Sequence, residues 1–201
     1  MTAASDEFLG HYRKQAKTTI WRTPSGQIAR ATSYRDLAKL LDSLPADAAM
    51  RTKYPNLVIS AAAPPAQKAA VPGQRVPEEQ HNVQVDCWLY HIRLEGDDDY
   101  HTIVGSSSAP KTARFLNVEV SGLPASGKDR APLKKMRDQL LSLVGQPIGK
   151  TKYTDVTPPR RVRVTGSLFF DADHRRGQIG PPPHNPQTVW EIHPVTSIRA
   201  L

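Results

Sequence analysis

Seven histidines stand among nineteen acidic residues, and several fall close enough together to share chemistry. In VWEIHPVTS, Glu191 and His193 are two apart, which puts both on one face of a strand, opposite Trp190 and Ile192. A carboxylate beside an imidazole suits metal ligation or acid–base work. It equally suits a local ion pair. Asp171, Asp173 and His174 follow the apolar run of RRVRVTGSLFF, and Asp97-Asp98-Asp99 leads directly into Tyr100 and His101. Hard cations take carboxylate oxygens, so Asp97, Asp99, His101, Asp171 and His174 are the candidate metal ligands. The acidic run lacks the spacing of an EF-hand loop, and aspartates also close turns on their own backbone. The candidates for proton transfer are His101, His174, Glu191 and His193. No two histidines have the i, i+4 spacing of a zinc-enzyme helix, and no P-loop, G-x-S-x-G or G-x-G-x-x-G is present. The sequence calls for no cofactor beyond a divalent metal.

The charge points to a second kind of chemistry. The 201-residue chain has a net charge of +8 and a pI near 9.7, so nucleic acid or another polyanion is a candidate partner. The residues that could carry it are Tyr100, Lys111, Arg114, Arg161, Arg163, Arg175 and Arg176. Base stacking needs aromatic side chains among the basic ones. Only 6% of this chain is aromatic, and part of that share is needed for a core. The single cysteine, Cys87, falls on an apolar strand face, which rules out an intramolecular disulfide or a Cys-based zinc site.

These side chains must be positioned by strands. VQVDCWLYHIRLE alternates with Val83, Val85, Cys87 and Leu89 on one face, then slips to Ile92 and Leu94. A slip of one residue within a strand is the signature of a β-bulge. YHTIVGS and FLNVEVSG are the second and third strands. PLKKMRDQLLSLVG reads as a helix with Pro132 in its first turn, Gly145 at its end, and Leu133, Met136, Leu140, Leu141 and Val144 as the buried stripe. RRVRVTGSLFF and VWEIHPVTSIRAL are the fourth and fifth strands. Three strands, a helix and two strands is the order of an OB-like five-stranded barrel with one helix between strands three and four. An open sheet is the alternative. The expected class is therefore mainly β, with a small α+β N-terminal arm.

The chain divides into an arm over 1–60, an Ala/Pro-rich linker over 61–80, and the OB-like domain over 81–201. In the arm, IWRTPSGQIARA predicts two short strands around Pro24-Ser25-Gly26. SYRDLAKLLDSL predicts a helix capped by Ser33, and NLVIS one further strand. So small an arm must pack on the barrel or on another chain, which makes residues 1–80 the candidate surface for a protein partner or a homo-oligomer. No apolar run approaches the ~20 residues of a membrane span, and MTAASDEFLGHYRKQ lacks the features of a secretory signal. The expected location is cytoplasmic.

GDDDYHTIV, FLNVEVSGLP, VRVTGSLFFDADH with GQIG, and WEIHPVTSI, taken in order, resemble a group of small uncharacterised bacterial proteins. These share GDYH-like, VTGxxFFD-like and E-[IL]-H-P-V motifs over about residues 83–199. His101, Asp171, His174, Glu191 and His193 fall on the polar positions of that pattern. Asp98 and the long RRGQIGPPPHNPQT loop depart from it.

Three functions follow as expectations. The first is a non-enzymatic OB-like binding or assembly module, with nucleic acid or a polyanion as ligand. The second is a metal-dependent, nuclease-like hydrolase using the His/Asp/Glu cluster. The third is a structural subunit of a larger complex. They differ in one geometric requirement, since an enzyme needs His101, His174, Glu191 and His193 in one pocket, whereas a binding module needs a continuous basic or apolar groove.

Overall fold

Apolar side chains at every second position organise this chain into a mainly β molecule with few helices. The computed structural model describes residues 13, 16–57, 74–124, 126–127 and 130–201. Its strands are β1 (Thr32–Tyr34), β2 (Asn82–Leu94), β3 (Tyr100–Gly105), β4 (Phe115–Val120), β5 (Thr154–Phe170) and β6 (Trp190–Ala200). They form one six-stranded sheet in the order β1-β2-β3-β4-β6-β5, and β2 also pairs with β5. The hydrogen bonds thus run in a ring through β2, β3, β4, β6 and β5. Every pairing in that ring is antiparallel except β4 with β6, which is parallel.

The ring depends on β2. Its register shifts between Leu89 and His91 against both β3 and β5, where the sequence parity slips. The bend lets the first half of β2 pair with β5 and with β1, and the second half with β3 and the start of β5. On β5 the register shifts on both sides of Gly166. A Cβ there would lie 2.5 Å from both Ile192 Cγ2 and Pro194 O, so only glycine lets β5 and β6 approach this closely. The strand itself begins at Thr154, earlier than RRVRVTG suggests.

One face of the ring is apolar. Val85, Leu89, Leu116, Val118, Val164 and Ile192 are all within 1% of full burial, in the same cluster as Trp190 and Phe170. Helix α3 (Arg130–Val144) adds Met136, Leu140 and Val144 to this cluster. Leu141 does not belong to its buried stripe, being 41% exposed, while Arg137 takes a buried place instead. Arg137 donates to Asp98 O and Ser121 O and lies over the Tyr100 ring, so α3 fixes the turn that precedes β3.

The described part of the arm packs on this same sheet. Helix α1 (Leu37–Ser43) buries Leu37 and Leu40 in the main cluster. Its cap is Asp36, whose side chain accepts from the Lys39 N–H at 2.9 Å, because Ser33 is committed to β1. Helix α2 (Asp47–Lys53) follows directly and buries Met50. The expected hairpin around Gly26 is reduced to a single bridge between Arg22 and Ile28. Of NLVIS, Asn56 and Leu57 belong to a 3-10 turn, Pro55–Leu57, and residues 58–60 lie outside the described residues. So do residues 61–73 of the Ala/Pro-rich stretch. Residues 74–80 are held down by buried Arg75, Val76 and Glu79. Among the described residues, no helix is long and apolar enough to cross a membrane.

Candidate functional site: a buried acid and histidine cluster

Alternation gives β4 two personalities. Leu116, Val118 and Val120 enter the apolar cluster, which turns Asn117 and Glu119 to the other face. Register then gathers their neighbours. His101 on β3 stands opposite Glu119, and Asn117 stands beside Glu191 of β6 in the parallel pairing. His193, two residues on, shares the face of Glu191. Asp99 comes from the turn before β3, and Asp171 and His174 from the loop after β5. Lys17 reaches in from the N-terminal segment.

Glu119 is at the centre and is fully buried. Its Oε1 accepts from Asn117 Nδ2 at 2.7 Å and lies 2.8 Å from His101 Nε2. Its Oε2 lies 2.7 Å from His193 Nδ1 and 3.3 Å from Lys17 Nζ. Neither contact gives that oxygen a properly directed hydrogen bond. His193 aims Nδ1 at Glu191 Oε1 (3.2 Å) and Nε2 at the Ser121 hydroxyl (2.7 Å). Asn117 Nδ2 also donates to Glu191 Oε2 at 3.1 Å, while Asn117 Oδ1 has no partner among the described residues. His174 Nδ1 is 2.8 Å from Asp171 Oδ2.

Burial and mutual charge shift these groups strongly. Burial alone would raise the Glu119 carboxyl, yet His101, Lys17 and His193 hold it well below its ordinary range. Burial works against the His193 cation, but Glu119 lifts it to about 9. The same contest at His174 is won by Asp171, again at about 9. At Glu191 the compensation from His193 and Lys17 falls short. Burial first, and then the Glu119 charge, push it up to about 7. Asp99 is raised chiefly by burial.

Two features of this cluster suit chemistry. Asp99, Glu119 and His193 each offer a ligand atom, all within 4.8 Å of one another. The orphaned Glu119 Oε2 is what a cation would satisfy. Carboxylate oxygens with one imidazole fit Mn²⁺ or Zn²⁺ better than Ca²⁺. A narrow cleft with room for about one water lies beside the cluster, lined by Asn117, Asp171, His174, Arg175, Thr188 and Glu191.

All four proton-transfer candidates from the sequence therefore meet here, as do the metal candidates Asp99, His101, Asp171 and His174. Asp97 stays apart, accepting from the Asp99 N–H at 3.2 Å to close the turn. Sequence reasoning passed over Glu119, Asn117 and Lys17. The first two were visible as the polar parity of FLNVEV, whereas nothing in the sequence marks Lys17. It also passed over Asp155, His91 and His184, which form a chain of 2.8 and 2.6 Å contacts at the bend of β2.

The basic candidates do not converge. Tyr100 is buried beneath Arg137. Arg114 pairs with Asp42 at 2.6 Å, and Arg163 grips Asp86 at 2.5 and 2.8 Å. Lys111 is exposed between β3 and β4, Arg161 is exposed on β5, and Arg175 and Arg176 are exposed on the loop after β5. No protein-family model, curated protein or solved structure matches this chain, so the geometry alone carries the functional argument.

Proposed function

We propose that the chain is an OB-like module carrying a divalent-metal-dependent hydrolytic site on the outer face of β3, β4 and β6. The OB-like reading is supported by the ring order, by the parallel β4–β6 contact, and by α3 lying between the third and fourth ring strands. OB-folds take ligands across their second and third strands, between the loops that flank that face. Here those strands are β3 and β4, and the flanking loops supply Asp99 on one side and Asp171 with His174 on the other.

One observation carries the hydrolytic reading, namely that ionisable groups from four separate strands and loops close around one buried carboxylate beside a narrow cleft. Asp99, Glu119 and His193 would hold the metal, which would supply a Lewis acid and a water of lowered pKa. Glu191, titrating at about 7 and lining the cleft, is placed to accept a proton from an attacking water. His174, kept protonated by Asp171, is placed to donate one to a leaving group. Arg175 at the same cleft favours an anionic substrate such as a phosphodiester.

The test combines metal analysis with thermal denaturation. Mn²⁺ at a free concentration about a hundredfold above Kd stabilises a folded protein by about 2.7 kcal/mol. His193→Ala should lose that increment and the metal-dependent cleavage of bis(p-nitrophenyl) phosphate, while circular dichroism shows the metal-free fold retained. Metal-independent denaturation of the unaltered protein would sink the reading.

Polyanion binding is a second proposal, favoured by a different wall. Trp88 faces Arg161 across β2 and β5, and Arg163 faces Arg199 across β5 and β6.

A further inference from the structure

Among the described residues, Lys17 is the one member of the cluster that comes from the N-terminal arm, and its contacts are unlike an ordinary salt bridge. Its Nζ lies 3.3 Å from Glu119 Oε2, 3.9 Å from Asp99 Oδ2 and 3.9 Å from Asp171 Oδ2. Charge-assisted N–H···O bonds are usually about 2.7–2.9 Å long. The ammonium is thus suspended among three carboxylates rather than bonded to one of them. Two of these, Asp99 and Glu119, belong to the candidate ligand triad.

We propose that Lys17 is a built-in counter-cation, whose ammonium holds the ion's place in the metal-free chain and withdraws when a divalent metal binds. This rests on the metal-site reading above. A metal takes carboxylate oxygens at about 2 Å, and those are the oxygens Lys17 now faces. The lone pairs cannot serve both cations, and the two positive charges repel at such short range. Lysine suits the role because its charge is compact and its stem flexible. The side chain can leave without undocking the arm, which is anchored independently. Arg13 contacts Glu79 at 2.5 Å and donates to Phe170 O at 3.0 Å, Ile20 is buried, and the Trp21 N–H donates to Ser167 Oγ at 2.9 Å. The advantage is that the buried carboxylates are compensated before any metal arrives, since an unpaired buried charge is strongly destabilising. The consequence is competition, with the arm weakening metal affinity.

The experiment measures Mn²⁺ affinity at fixed pH for the full chain, Lys17→Met and Lys17→Arg. Lys17→Met should bind Mn²⁺ at least tenfold more tightly, and Lys17→Arg should resemble the unaltered chain. Equal or weaker binding by Lys17→Met, with the unaltered chain still binding, overturns the counter-cation and leaves the metal site standing. Absence of binding in both folded proteins overturns the metal site and this inference together. A second measurement needs no variant. Acetylation of Lys17 by acetic anhydride, read by peptide mass spectrometry, should rise several-fold on saturation with Mn²⁺. Unchanged labelling in the metal-saturated chain overturns the proposal.

Discussion

Each histidine in the cluster is held as a cation by a specific carboxylate, and that fixes how the metal-free protein must respond to pH. His174 and His193 are both lifted from 6.5 to about 9, against burial, by Asp171 and Glu119 respectively. A group whose folded pKa is raised contributes stability that is complete below its unfolded pKa and is lost as pH climbs through the folded one. The window is therefore about 6.5 to 9. Glu191, raised from 4.5 to about 7, loses its contribution lower, between those two values. Both effects have the same sign. In the presence of a chelator, the midpoint of thermal unfolding should fall by several degrees between pH 4.5 and 9.5. Glu191→Gln should flatten the lower part of that slope, and His174→Gln the upper part. A stability maximum above pH 8 would contradict the assignment. At this scale the sequence was legible where a residue stood beside a motif or a turn, as with His101 and Glu191. Lys17 was silent because its partners are over eighty residues away, and only the tertiary fold brings them together.

Elements were legible wherever one face alone had to be buried. The slip of parity at Tyr90 predicted the bend of β2, and the stripe of α3 predicted its packing face. Leu140 is fully buried and Lys135 is exposed on the opposite side. Leu140→Ala should therefore cost about 2–5 kcal/mol, and Lys135→Ala no more than about 0.5 kcal/mol. Equal denaturation midpoints for the two variants would mean the helix face is misassigned. Leu141 shows the limit of such patterns. It is the right residue type beside the stripe, yet the place is taken by Arg137, whose guanidinium finds Asp98 O, Ser121 O and the Tyr100 ring. A sequence stripe cannot anticipate a cation drawn inward by carbonyls from another part of the chain. The arm was less legible for a similar reason. The short helices α1 and α2 and the Arg22–Ile28 bridge have weak local signals, and they owe their form to the sheet they cover.

For the whole molecule, the ring separates two surfaces that the sequence could not tell apart. A net charge of +8 says that polyanions are attracted, not where they bind. Arg161 and Arg163 project from β5, beside Trp88 of β2 and Arg199 of β6, whereas Arg175 and Arg176 sit on the loop after β5, where Arg175 lines the cleft beside the acidic cluster. Reversing the charges of each pair separately is therefore informative. If the β2–β5–β6 wall binds nucleic acid, oligonucleotide affinity at low salt should fall sharply in Arg161→Glu with Arg163→Glu. It should change little in Arg175→Glu with Arg176→Glu. Affinity in the unaltered chain should also decline steeply with salt, in proportion to the phosphates neutralised. The opposite dependence, with the loop pair decisive and the wall pair silent, would place the polyanion at the cleft as a substrate. Binding that survives both reversals would remove these arginines from the interface altogether. Phosphodiester cleavage adds an independent axis, because wall binding without metal-dependent turnover and turnover without wall binding are both physically permitted by this fold. Since β5 supplies Arg161 and Arg163 along its length and leads at its end into Asp171 and His174, a nucleic-acid strand held on the wall would need to pass around the end of β5 to reach Glu191. A substrate long enough to do both should therefore be cleaved at lower concentration than a dinucleotide, and only while Arg161 and Arg163 remain intact.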